Sequence, residues 1–205
     1  FSVMGARAGE FLNIVCANQV VRGIGKATYT QALTTKGGIE CDFTVTQTGE
    51  NAFFIVTGTA FGTHDLGWLK KQRRELGFDD VILEDVTGAF ACFGLWGPNA
   101  RKILEKLTPH DVSNEGFPFM ASREITMGDI PVRATRITYV GELGWEFYVS
   151  TEFGTALWKL IFEAGQSLGI MACGYKAIES LRLEKGYRAW GGEINTETNP
   201  WEAGL

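Results

Sequence analysis

The stretch from Lys26 to Thr57, KATYTQALTTKGGIECDFTVTQTGENAFFIVT, decides the fold class. It is rich in Thr, Val, Ile and Phe, the side chains that suit a pleated, half-buried surface. Two turn signals divide it, Lys36-Gly37-Gly38 and Gly49-Glu50-Asn51, so it predicts three antiparallel strands joined by tight turns. Within the middle strand Cys41, Phe43 and Val45 alternate with Asp42, Thr44 and Thr46. That period of two gives one buried face and one polar face.

Working outward, the texture becomes helical on either side. Ala6 to Cys16 offers Phe11, Leu12 and Val15 to one face, and further helices are predicted at Thr63 to Leu76 and from Pro98 to Leu107. Strands return between Ser122 and Val149, broken at Gly128-Asp129 and Gly141-Glu142-Leu143-Gly144. Ser150 or Thr151 can cap a helix carrying Phe153, Leu157, Leu160, Ile161 and Ala164 on one face, ended by Gly165 or Gly169. A last helix covers Tyr175 to Lys185, with Ala177, Ile178, Leu181 and Leu183 supplying apolar contacts. Segregated strands and helices predict an α+β fold, antiparallel sheets with packed helices. The chain has no linker-like or repetitive tract, which makes one compact unit the simplest organisation.

Composition excludes several function classes. In 205 residues, 45% are hydrophobic and 21% charged, which is ordinary for a globular protein with a sizeable core. Nineteen basic against 24 acidic residues leave a formal charge of −5, which argues against a surface built for nucleic acid or anionic lipid. No apolar run approaches the roughly 20 residues of a membrane helix. The 26 glycines fit many tight turns. Cys16, Cys41, Cys92 and Cys173 form no CxxC pair and sit among apolar neighbours. They predict four buried thiols rather than a metal or redox motif. With only His64 and His110 present, both expected at the surface, a site of several imidazoles is excluded.

Some familiar motifs fail on spacing. Gly23-Ile24-Gly25-Lys26 lacks the hydroxyl residue and the full length of a phosphate loop, and no dinucleotide fingerprint occurs. Ser150, Ser167 and Ser180 lack a nucleophile elbow.

Two longer segments carry more information. Tyr139-Val140-Gly141-Glu142-Leu143-Gly144-Trp145-Glu146 resembles the YTGExGxE signature of the folate-dependent aminomethyltransferases, the T-protein of glycine cleavage and its relatives. Ser180-Leu181-Arg182-Leu183-Glu184-Lys185-Gly186, followed by Asn199-Pro200-Trp201-Glu202-Ala203-Gly204-Leu205, is similar to that family's SLRLExG and NPxExGL elements. Gly37-Gly38-Ile39-Glu40-Cys41-Asp42 and Leu95-Trp96-Gly97-Pro98-Asn99-Ala100-Arg101 resemble its GGIxxD and LxGPxAR elements. The resemblance covers the whole chain and implies an aminomethyltransferase-like fold. It further implies that residues 1–205 are a partial domain truncated at both ends, with a smaller C-terminal β domain largely absent.

The same resemblance assigns roles beside plainer readings. Asp42, otherwise a carboxylate on a solvated sheet face, matches the family's essential aspartate, and a fixed carboxylate there could stabilise an iminium cation or relay a proton. Glu146, otherwise an exposed strand residue, would accept the paired donors of a pterin ring as it would an arginine fork. Tyr29 and Tyr139 match folate-contacting aromatics but would also pass as ordinary strand tyrosines. Arg182 would lie near folate, or form a surface ion pair with Glu179 or Glu184. Trp190 is either a folate-site aromatic or a packing residue.

The implied reaction passes a methylene group from a methylated-amine-derived iminium to tetrahydrofolate. Glu40-Cys41-Asp42 and Thr57-Gly58-Thr59 depart from the T-protein pattern and look more like the folate region of dimethylglycine and sarcosine dehydrogenases. That branch implies an upstream FAD domain outside this chain, and a location in bacterial cytoplasm or the mitochondrial matrix. The alternatives are T-protein itself and a non-catalytic folate-binding relative. The latter is disfavoured because Lys185 to Glu193 contains no cysteine. Neither a nucleic-acid nor a membrane partner is implied.

Overall fold

The computed structural model describes residues 1–205. The strands and helices are β1 (Ser2–Met4), α1 (Ala8–Val15), β2 (Ala27–Leu33), β3 (Ile39–Gly49), β4 (Ala52–Val56), α2 (Gly62–Glu75) and β5 (Ile82–Glu84), then β6 (Phe90–Trp96), α3 (Ala100–Leu104), β7 (Ser122–Met127), β8 (Ile130–Thr135), β9 (Gly144–Ser150), α4 (Gly154–Gly165) and α5 (Tyr175–Glu184). The α+β class and the antiparallel sheets expected from the sequence are present. No helix is long and apolar enough to cross a membrane. The chain divides into two compact units, residues 1–87 with 188–205, and residues 88–187. Two units therefore replace the single compact unit that the lack of a linker-like tract suggests.

The first unit holds a five-stranded sheet in the order β2-β3-β4-β1-β5, with every neighbouring pair antiparallel. Both turns fall where the glycines placed them, and Gly37 takes the left-handed backbone (φ 85°) that a side chain would resist. Ala8, Phe11, Leu12 and Val15 recur at helical spacing on α1 and are all buried. They meet Phe43 and Val45 of β3, Phe53 and Ile55 of β4, and Leu69 of α2 in one core. Complete burial of a side chain such as Phe43 or Leu69 stabilises by about 1.5–3 kcal/mol. The returning segment packs Ile194 and Ala203 against Ile39. It also takes the Ile39 N–H on the carbonyls of Asn195 (3.1 Å) and Thr198 (3.0 Å), so the start of β3 is clamped from outside the sheet.

The second unit is a four-stranded antiparallel sheet, β6-β9-β8-β7. Trp145, Phe147 and Val149 of β9 point into a core with Leu104, Met127, Val132 and Leu157. The intervening Glu146 and Tyr148 therefore share the other face.

Three details differ from expectation. Cys16 and Cys41 are buried, but Cys92 and Cys173 are exposed, since β6 carries Cys92 on the face away from the core and Cys173 precedes α5. Neither Ser150 nor Thr151 caps α4. The Thr151 hydroxyl donates instead to the carbonyl of Gly88 (2.9 Å). In α5 Leu181 and Leu183 are exposed and Arg182 is the buried residue, so helical spacing of apolar residues misjudged which face turns inward.

Candidate functional site

In the first unit β2 and β3 place Tyr29 and Asp42 diagonally on one sheet face, since Tyr29 lies opposite Thr44 and Gln31 opposite Asp42. The Tyr29 hydroxyl donates to the Asp42 carboxylate at 2.9 Å. Asp42 is half-buried rather than solvated. Burial pushes its pKa above the ordinary carboxylate range. The Tyr29 hydrogen bond works against that rise, and the nearby charge of Asp65 adds to it.

Asp65, buried near the start of α2, accepts the Thr57 hydroxyl, and its Oδ1 lies 2.9 Å from His64 Nδ1. The other imidazole nitrogen, Nε2, lies 3.2 Å from Glu40 Oε1. Thr57 also reaches the main-chain carbonyl of Asp42 (3.4 Å), so these groups are mechanically joined to β3.

Trp190 is half-buried beside this cluster. Its indole N–H donates to the Ile39 carbonyl at 2.9 Å, and its ring meets Phe61 edge-on and lies 5.5 Å from the His64 ring. Its polar edge is committed to the protein, and any ligand contact would use the ring.

In the second unit Glu146 stands mid-strand, opposite Gly94 of β6 and Thr135 of β8. The Tyr148 hydroxyl, two residues along on the same face, donates to its carboxylate. Burial raises the Glu146 pKa, which the Tyr148 hydrogen bond opposes. The Tyr148 phenol is itself pushed well up, by burial first and by the Glu146 charge second. A side chain at Gly94 would collide with the Trp96 ring, its Cβ falling 2.3 Å from the indole. The bare glycine thus lets an aromatic ring lie beside Glu146's cross-strand partner.

Arg182 is buried, not at the surface. Its guanidinium donates to the Tyr187 carbonyl (2.8 Å) and pairs with Glu179. Tyr187 in turn stacks on Tyr139, with ring centroids 6.3 Å apart and planes 14° apart. Tyr139 lies in the bend between β8 and β9 rather than in a strand. Arg182 therefore fixes the chain after α5, and that chain supports the Tyr139 ring.

The match to known proteins is consistent along the entire chain. The family model described as the GCVT N-terminal domain matches residues 1–205. The chain belongs to this family. This chain is 40% identical over 205 residues to mitochondrial dimethylglycine dehydrogenase of Rattus norvegicus, covering 100% of this chain and 24% of that protein. It is 36% identical over 207 residues to an aminomethyltransferase of Chlorobium luteolum, covering 100% of this chain and 56% of that one. The solved glycine cleavage aminomethyltransferase T of Bartonella henselae aligns with a TM-score of 0.80 at 29% identity, over 97% of this chain and 52% of that one. The relatives are enzymes, and this domain spans about a quarter of one and about half of the others.

Sequence reasoning missed Tyr148, Asp65 and Thr57 as partners within the GCVT N-terminal domain. A signal existed for Tyr148, since residues two apart on a strand share a face. None existed for Asp65, whose partners apart from the adjacent His64 come from β3 and from the segment after β4.

Proposed function

We propose that this domain transfers a one-carbon unit to tetrahydrofolate, accepting a methylene group from an iminium derived from an N-methyl amine. The observation that carries this reading is Glu146. It is a carboxylate held by Tyr148 on a sheet face, within the segment that resembles the folate signature. A pterin presents an amino group beside a ring N–H, and one carboxylate accepts both in bidentate fashion. Partial burial strengthens such charged hydrogen bonds.

Tetrahydrofolate would supply the nucleophilic nitrogen that bonds to the iminium carbon. Asp42 is suited to stabilise the cationic carbon–nitrogen bond and to take the proton that the nucleophile sheds. Tyr29 orients that carboxylate through its hydroxyl. Arg182 and Tyr139 act on folate at one remove or by ring contact, and Trp190 holds the start of β3.

The identity to dimethylglycine dehydrogenase supports the branch in which an FAD domain elsewhere in the polypeptide generates the iminium. The aminomethyltransferase relatives support a second reading, transfer from a lipoyl-carried aminomethyl group.

Titration calorimetry of the full-length protein with tetrahydrofolate tests the anchor. Glu146→Gln should raise Kd about 10- to 100-fold, the equivalent of about 1.5–3 kcal/mol for hydrogen bonds to a charged group. Unchanged affinity in a folded variant removes Glu146 from this role.

A further inference from the structure

We infer that Cys41, His64 and Asp65 form a binding site for a zinc-class divalent ion, with Glu40 and Thr57 orienting two of the three ligands. A thiol sulfur, an imidazole nitrogen and a carboxylate oxygen lie within 4.8 Å of one another. Donors around a tetrahedral zinc ion, at bond lengths of about 2.0–2.3 Å, sit roughly 3.3–3.8 Å apart. A contraction of about an ångström closes the site. Mixed sulfur, nitrogen and oxygen donors favour zinc over magnesium or calcium, which take oxygen ligands.

The surroundings supply what such ligands require. A metal-bound histidine donates its remaining N–H to an acceptor that fixes tautomer and ring direction. Glu40 Oε1 stands 3.2 Å from His64 Nε2, which leaves Nδ1 facing Asp65. Asp65 and Glu40 favour a second proton on this ring, and a divalent ion on the Nδ1 side would take the place of that proton while Nε2–H stays on Glu40. Thr57 donates to the other oxygen of Asp65 and leaves Oδ1 for the ion.

Cys41 and Asp65 are buried on β3 and α2, so two ligands are rigidly held. The His64 side chain is 43% exposed and provides the route from solvent. Trp190 packs on the imidazole and limits its rotation. Three protein ligands leave a fourth position for water. Binding forms the sulfur–metal bond and releases the Cys41 thiol proton to solvent, together with any proton on Nδ1. The ion would tie the residue next to Asp42 to the start of α2.

The test needs no folate, so its failure is separable from failure of the proposed function. Metal-stripped full-length protein is titrated with Zn²⁺ by calorimetry, and Co²⁺ serves as a spectroscopic probe of the ligands. One equivalent should bind, with a thiolate-to-cobalt absorption band. Cys41→Ser and His64→Gln, each checked for folding by circular dichroism, should each weaken binding at least tenfold. Zinc should raise the thermal midpoint of the parent and not of either variant. Absence of stoichiometric binding, undiminished binding in either folded variant, or a cobalt complex of the parent without the thiolate band overturns the inference.

Discussion

At the scale of single residues, Glu146 in its proposed role as folate anchor would trade stability for binding. Its pKa is raised by burial, so the folded state favours the protonated form. Stability associated with that form is present below the unfolded pKa of about 4.3 and is lost as pH rises through the folded value. Glu146→Gln should therefore unfold no earlier than the parent at pH 7, which thermal denaturation can check. In the proposed role Glu146 binds folate in its charged form, so folate affinity should weaken as pH falls, beginning above the ordinary carboxylate range. Tyr148 and Cys92 face this carboxylate, and Arg133 stands opposite Tyr148. Removing the Tyr148 hydroxyl takes away the hydrogen bond that favours ionisation, so Tyr148→Phe should move the acid limb of tetrahydrofolate binding to higher pH. An unmoved limb would separate Tyr148 from Glu146's charge.

At the scale of elements, β3 joins the site to the fold. Its start is gripped by the returning C-terminal segment, and a Cβ at Gly38 would fall 1.8 Å from the Thr196 carbonyl oxygen. Backbone cannot yield as a side-chain tip can, so Gly38→Ala should destabilise by about 2 kcal/mol or more and lower the denaturation midpoint. A variant as stable as the parent would show that the segment moves freely.

β3 was also the most legible element, because alternation over Cys41 to Thr46 states both its period and its buried face. α5 was the least legible. Ala177, Ile178 and Leu181 fall at helical spacing, yet the interior is reached by Arg182, which brings its own partners in Glu179 and the Tyr187 carbonyl. A hydrophobic pattern does not register a buried charge that is paired locally. The Asp65 cluster was hidden for another reason. Cys41 and His64 lie 23 positions apart in the sequence, and only tertiary folding brings them together.

At the scale of the whole molecule, the Asp42 carboxylate lies in the first unit and the Glu146 carboxylate in the second. The central claim is that Asp42 serves one-carbon transfer and not amine oxidation. Confining the iminium would limit its hydrolysis to formaldehyde. The most direct measurement follows the full-length protein with dimethylglycine or sarcosine and tetrahydrofolate, recording flavin reduction, formaldehyde and methylenetetrahydrofolate together. Asp42→Asn should leave flavin reduction within about twofold of the parent. It should lower methylenetetrahydrofolate formation on the order of 10²- to 10³-fold, with formaldehyde appearing in its place. Full transfer by the asparagine variant, or a parent without flavin that takes its aminomethyl group from a lipoyl carrier, would contradict the account.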